Sequence, residues 1–337
     1  MKAVGYFRSL PIAEAESLLD LEIETPSPAG RDLLVKIEAI SVNPVDTKVR
    51  MRAAGEGGKP KILGYDAAGT VAAAGPECQL FKPGDAVWYA GSILRPGTNA
   101  EFHLVDERIV GAKPKSLSFA QAAALPLTAI TAWEMLFDRF GIRIGKPPAA
   151  GSLLIIGGAG GVGSIAIQLA RRLTGLTVVA TASRPETRQW CLDHGAHHVI
   201  DHREAFGTQL KAIGLSAIDY VFGVTESGRH LPAIVEAIAP QGKFGLIDDP
   251  KALDVLPFKR KCVSIHWEAM FARSMFGTPD MILQHVLLTE VAALVDEGLV
   301  RTTMGGVLGR IDAATLKTAH AQIESGRTVG KLVLAGF

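Results

Sequence analysis

LLIIGGAGGVGS, residues 153–164, decides how the rest of the chain is read. Leu153, Leu154, Ile155 and Ile156 make a short apolar run with two β-branched side chains, which suits a buried strand. Glycines then turn the chain, and IAIQLARRL, residues 165–173, repeats its apolar residues at helical spacing. Gly158, Gly160 and Gly163 stand in the G-x-G-x-x-G register, with Gly161 and Val162 inside it. In that register the first glycine permits a tight turn, the second lets backbone approach a pyrophosphate, and the third lets helix and strand pack closely. Free amides and the dipole at the helix start would then hold the phosphates. The stretch is expected to open a dinucleotide-binding unit.

On its C-terminal side, strands and helices alternate. TVVATA (177–182), HHVID (197–201), IDYVFGV (218–224), GKFGLID (242–248) and CVSIHW (262–267) read as strands, with helix-like segments such as PETRQWCLDHG and LPAIVEAIAP between them. That alternation predicts an α/β fold with a doubly wound parallel sheet, assigned to residues 126–267. On the N-terminal side, residues 118–141 have helical spacing with Ser118 as N-cap. Pro126 predicts two helices or a break there, and the Pro-rich linker IRIGKPPAAG (142–151) leads into the glycine unit.

Residues 1–106 read differently, as short apolar stretches punctuated by Gly, Pro and Asn. LLVKIEAISV (33–42) alternates Val35, Ile37 and Ala39 against Lys36 and Glu38, the pattern of a half-buried strand. Further strands follow with turn signals between them, which predicts a small barrel or sandwich. Helices at 281–298 and 313–326 and a last strand at 330–337 complete a β-rich domain assigned to residues 1–125 and 268–337.

Length and charge bound the function. A chain of 337 residues suits two domains, and a net charge of +1 supplies no field for nucleic acid or a membrane surface. The N-terminus lacks an apolar signal core, so a soluble, cytoplasmic enzyme acting on small molecules is expected. Three scattered cysteines, Cys78, Cys191 and Cys262, argue against a disulfide framework and against a C-x-x-C metal site.

The second strand of the glycine unit ends Ala182, Ser183, Arg184, with Arg188 one turn on. NAD-binding units place an acid there, whereas NADP-binding ones accommodate a phosphate. A hydroxyl from Ser183 and a guanidinium from Arg184 suit a 2′-phosphate, so NADP(H) is expected over NAD(H). The alternative is that Arg184 caps a solvated loop.

NPVD (43–46), LGYDAAG (63–69), KPGDAV (82–87), LPLTAITAW (125–133) and GGAGGVG (157–163), in that order, resemble the medium-chain dehydrogenase/reductase superfamily. Within it the chain looks like the quinone oxidoreductase branch, and most like its zinc-type alcohol dehydrogenase-like subgroup. The resemblance implies a GroES-like catalytic domain, a Rossmann domain, and a homo-oligomer, with a dimer favoured. In zinc-dependent relatives a Cys stands in the segment matching SVNPVD, a His-Glu pair in that matching Gly64-Tyr65-Asp66, and a Cys or Asp near the start of LPLTAITAW. Here Asn43, Tyr65 and residues 125–128 occupy those places, and Asp66 alone is of ligand type. A catalytic zinc takes about three protein ligands, so no metal is expected.

Without a metal, ketone reduction needs a strong acid such as the Tyr-x-x-x-Lys pair, and none of the four tyrosines has a lysine four residues on. Quinones and α,β-unsaturated carbonyls spread the developing charge by conjugation, and they are the expected substrates of an NADPH-dependent hydride transfer. The resemblance places the Asn43 amide toward substrate, Thr128 by the nicotinamide and Lys331 near the cofactor phosphates. Lys48 stands where many quinone oxidoreductases have a tyrosine. Pointing inward it would serve as proton donor, and pointing outward it is a solvated lysine. Tyr65 either fills the volume a ligand vacates or offers a phenol, and Trp267 with Phe271 would wall an apolar pocket. The other readings are an alcohol dehydrogenase or aldehyde reductase, and a non-catalytic NADPH-binding sensor.

Overall fold

The computed structural model describes residues 1–147 and 150–337; Pro148 and Ala149 of the Pro-rich linker lie outside the described residues. The chain forms two compact units, Met1–Ile130 with Phe271–Phe337, and Thr131–Met270.

The second unit is built on a six-stranded sheet in the order His198–Ile200, Thr177–Thr181, Ser152–Ile156, Ile218–Gly223, Ile238–Leu246, Ser264–Trp267. Every neighbouring pair is parallel. This is the 3-2-1-4-5-6 order of a Rossmann sheet, whose strand order reverses beside the first strand. Ser152–Ile156 is buried along its whole length because helices cover both faces, so it reads as a continuous apolar run rather than an alternating one. Leu154, Ile156, Val179, Val221 and Phe244 are among the residues of the core on one side. Helix Gly161–Leu173 follows the glycine turn directly, as its sequence predicts.

The first unit carries a mostly antiparallel seven-stranded sheet. Met304–Gly309, Lys331–Ala335, Asp32–Val42, Ala67–Ala74, Ala86–Tyr89 and Val110–Ala112 lie in that order, and Phe102–Asp106 pairs beside Asp32–Val42. Val35, Ile37 and Ala39 are buried, as the alternation predicts, but from Ala39 to Val42 the strand is buried on both faces. Two registers gather three polar residues at one end of this sheet. Leu332 pairs with Val42, and Ile40 pairs with Ala67, so the residues just beyond those pairs, Lys331, Asn43 and Asp66, come together. Pro126 acts as expected, dividing helix Phe119–Ala123 from helix Pro126–Trp133, and a π-helical turn over Glu134–Arg139 follows.

Candidate active site

The glycine turn is shaped by close packing. Gly157, with φ of 92°, takes the left-handed conformation itself, and its N–H donates to Thr181 Oγ1 at 3.0 Å. A Cβ on Gly158 would meet Ala180 Cβ at 2.7 Å and Cys191 Sγ at 2.9 Å, so this glycine allows contact with the neighbouring strand and helix rather than the turn. A Cβ on Gly163 would lie 2.3 Å from Gly157 O. Gly160 differs, because its Cβ would meet only Gly157 O, at 3.6 Å. The side of the turn at Gly160 is open, and the first-turn amides of Gly161, Val162 and Gly163 have no intrahelical acceptor. These residues fit a pyrophosphate.

Ser183 and Arg184 are half-buried just beyond the second strand. Arg184 Nε pairs with Glu186 Oε1 at 3.0 Å. Arg188, expected at the cofactor, has another task. Its guanidinium donates to Ala182 O at 3.3 Å and Val199 O at 2.8 Å, tying two parallel strand ends together. The cation that reaches Ser183 is instead Arg203, whose Nη2 donates to Ser183 O at 3.0 Å and pairs with Asp201 at 2.6 Å. The sequence signal for Arg203 is its place beyond the third strand, which lies beside the second in a parallel sheet.

In the β-rich unit a polar network sits in the sheet interior. Lys331 Nζ donates to Val42 O at 2.9 Å, to Asn43 Oδ1 at 2.8 Å and to Asp66 Oδ2 at 3.1 Å. An ammonium has three donors, so all are engaged. Expected at the cofactor phosphates, Lys331 is in fact buried in this network because its strand register sets it opposite Asn43. Burial pulls its pKa down and Asp66 holds it up.

Asp66 Oδ2 also accepts from Ser41 Oγ at 2.9 Å and Asn43 Nδ2 at 2.8 Å, and its Oδ1 accepts the Leu127 N–H at 2.7 Å at the start of helix Pro126–Trp133. The Asn43 amide, expected to face substrate, is thus held by Lys331 and Asp66 and is 1% exposed. Asp46 accepts the Asn43 N–H at 2.7 Å and the Gly64 N–H at 3.0 Å. Burial pushes it up to about 7, against the pull of those two amides.

Tyr65 is buried and packs edge to face on Phe271 at 5.3 Å, so it fills volume; burial raises its phenol well above the usual range. Thr128 Oγ1 donates to Leu125 O at 2.9 Å within its own helix. Lys48 is half-buried and lines a cavity of about 460 Å³ with Ile12, Met51, Arg52 and Glu324. Trp267 is 56% exposed at the end of the edge strand, and Phe271 is buried in the other unit. His194 packs on Trp190 at 4.4 Å, while His197 Nδ1 accepts the Val178 N–H, so these two histidines have separate structural partners.

An alcohol dehydrogenase GroES-like domain model matches residues 29–126, and a zinc-binding dehydrogenase model matches residues 194–334. A zinc-type alcohol dehydrogenase-like protein of Staphylococcus aureus (strain MSSA476) is 41% identical over 99% of both chains. The chain belongs to the medium-chain dehydrogenase/reductase superfamily. A crystal structure of a Rhizobium etli CFN 42 protein, provisionally assigned as a zinc-dependent alcohol dehydrogenase, superposes on this medium-chain fold with a TM-score of 0.97. It is 59% identical and the match covers 100% of this chain and 98% of that one. The 2-methylene-furan-3-one reductase of Solanum lycopersicum is 38% identical over 72% of this chain and 64% of its own. As a member of this superfamily the protein is an oxidoreductase, with a Rossmann unit suited to a nicotinamide cofactor. Among the described residues no helix is long and apolar enough to cross a membrane.

Proposed function

We propose that the protein is a zinc-independent, NADPH-dependent reductase of quinones or α,β-unsaturated carbonyls. The observation that carries the zinc-independent part is the state of Asp66. It is the single ligand-type residue among Asn43, Tyr65 and Asp66, and both its oxygens already accept hydrogen bonds, one of them from the Lys331 ammonium. Among the described residues no group of three His, Cys, Asp or Glu side chains is placed to hold a metal. The donor set therefore does not fit a catalytic zinc, which takes about three such ligands.

Preference for NADP(H) is supported by the strand end that offers Ser183, Arg184 and Arg203 where an NAD-binding unit places an acid. Gly160 to Gly163 would hold the pyrophosphate against the helix N-terminus. When bound, NADPH supplies a hydride. The chain must hold the acceptor and protonate the product of hydride addition, and Lys48 is the proposed donor of that proton. Preference for conjugated acceptors is supported by the absence of a metal-type ligand set among the described residues, since conjugation spreads the charge that a zinc would otherwise stabilise. The tomato relative's substrate, as its name describes it, is a conjugated ketone of this class. The same reading takes the protein as a homo-oligomer, with a dimer favoured, on the strength of the family resemblance.

NADPH oxidation measured across a panel of quinones, enones and simple aldehydes tests this reading. Turnover of quinones or enones that persists in a chelator supports it, and tight NADPH binding without turnover of any acceptor refutes it.

A further inference from the structure

Lys48 lies between two sets of ties on helix Pro44–Arg52, in the β-rich unit. At the far end the buried Arg50 guanidinium donates to Leu10 O at 2.5 Å and pairs with Glu324, while Ser9 Oγ donates to Arg50 O at 2.6 Å. At the near end Asn43, the N-cap residue, gives its backbone N–H to Asp46 Oδ2 at 2.7 Å, one of the two bonds of a capping box. Its side-chain amide is engaged by residues at the end of the sheet. Nδ2 donates to Asp66 Oδ2 and Oδ1 accepts from Lys331 Nζ, each at 2.8 Å.

The near-end anchor is itself rigid. Asp66 Oδ2 accepts from Ser41, Asn43 and Lys331 and its Oδ1 from the Leu127 N–H, so four donors fill the carboxylate. It cannot turn without breaking one of these bonds. Asp46 supplies a second anchor, because its Oδ1 accepts the Gly64 N–H at 3.0 Å. Gly64 has φ of 105°, and a Cβ there would meet Thr98 Oγ1 and Asn99 Oδ1 at 2.5 Å each. Its carbonyl accepts the Thr98 N–H at 2.9 Å, which pins the backbone beside Asp66. Asn43, Asp46, Asp66 and Lys331 are all buried, so water does not compete for these bonds.

We propose that Asn43 and Asp66 are positioning residues for Lys48, holding the first turn of its helix so that the ammonium is presented to the product of hydride addition. The inference rests on the proposed function, in which Lys48 gives the proton. Proton transfer needs hydrogen-bond reach, and a misplacement of about 1 Å by a change away from the chemistry can cost about 10²-fold. A helix held only at Arg50 still swings about that end. The ties at both ends are what place Lys48, and the buried Asn43 and Asp66 act through the helix rather than on the acceptor.

Asn43→Ser cuts the tie while leaving a strong N-cap residue, because its hydroxyl is too short to meet both Lys331 and Asp66. The Lys331–Asp66 pair stays in place, so no buried charge loses its partner. Enone turnover, NADPH affinity and melting temperature of the full chain would be measured for Asn43→Ser, Lys48→Met and the double variant. Asn43→Ser is expected to lower kcat by about tenfold or more, with NADPH affinity unchanged. In the Lys48→Met background the same substitution should change kcat by less than about twofold, because the group it positions is gone. Asn43→Ala, which also removes the cap, should lose as much in kcat and melt at a lower temperature than Asn43→Ser.

Losses that multiply in the double variant would overturn the proposal and leave Lys48 standing as the donor. Wild-type kcat in Asn43→Ser would overturn it as well. Failure of both Asn43 variants to fold would make the residue an element of folding rather than of positioning, and would also overturn it. Wild-type turnover in Lys48→Met is a different failure, because it refutes the proton donor of the proposed function and this inference with it.

Discussion

The Lys331 ammonium lies 3.1 Å from the Asp66 carboxylate, with both side chains buried in the β-rich unit. Asp66 in turn fixes the start of helix Pro126–Trp133 through the Leu127 N–H, and Lys331 fixes the Asn43 amide. Three segments that are far apart in sequence meet at this one ion pair. Lys331→Met leaves Asp66 charged and uncompensated, and removing one partner of a buried pair costs about 3–5 kcal/mol. Chemical denaturation is expected to show a loss of that order, partly regained in Lys331→Met with Asp66→Asn. A loss under about 1 kcal/mol would mean that the pair behaves as a surface salt bridge.

The three glycines of the turn should separate stability from cofactor binding. A Cβ on Gly163 runs into Gly157 O at 2.3 Å, so Gly163→Ala should lower the melting temperature by several degrees. At Gly160 the nearest atom is 3.6 Å away, and Gly160→Ala should fold normally while weakening NADPH binding by about tenfold or more. Equal NADPH affinity in Gly160→Ala and wild type, by calorimetry, would place the phosphates elsewhere.

Three arginines near the second strand end have different tasks. Arg184→Ala and Arg203→Ala should each raise the KM for NADPH relative to NADH by about tenfold, the worth of one charge-assisted hydrogen bond. Arg188→Ala should leave that ratio unchanged and instead lower stability, because its guanidinium joins Ala182 O and Val199 O. An unchanged ratio in both Arg184→Ala and Arg203→Ala would argue for NADH.

Lys48→Met probes the proposed proton donor. General acid catalysis contributes about 10²–10⁴-fold, so kcat for an enone should fall within that range while NADPH affinity holds. Turnover equal to wild type would remove Lys48 from the mechanism.

Much of this architecture is written locally. The glycine turn, its flanking strand and helix, and the alternation beyond them follow from periodicity and turn chemistry, which act over a few residues. The roles of Lys331 and Asn43 are not legible in that way. They depend on a register between strands 289 residues apart, and only that register shows that the lysine is engaged by Asn43 and Asp66. Arg203, rather than the expected Arg188, reaches Ser183 for a related reason, because which guanidinium arrives there depends on how two parallel strand ends align.

Whether hydride transfer in this protein proceeds without zinc is tested most directly by one measurement. Zinc content and NADPH-dependent enone or quinone turnover would be determined together on untagged protein, with and without a chelator. Zinc-independent chemistry predicts substoichiometric zinc and turnover unchanged by the chelator. Stoichiometric zinc bound by native residues, with activity that the chelator abolishes and zinc restores, would contradict it.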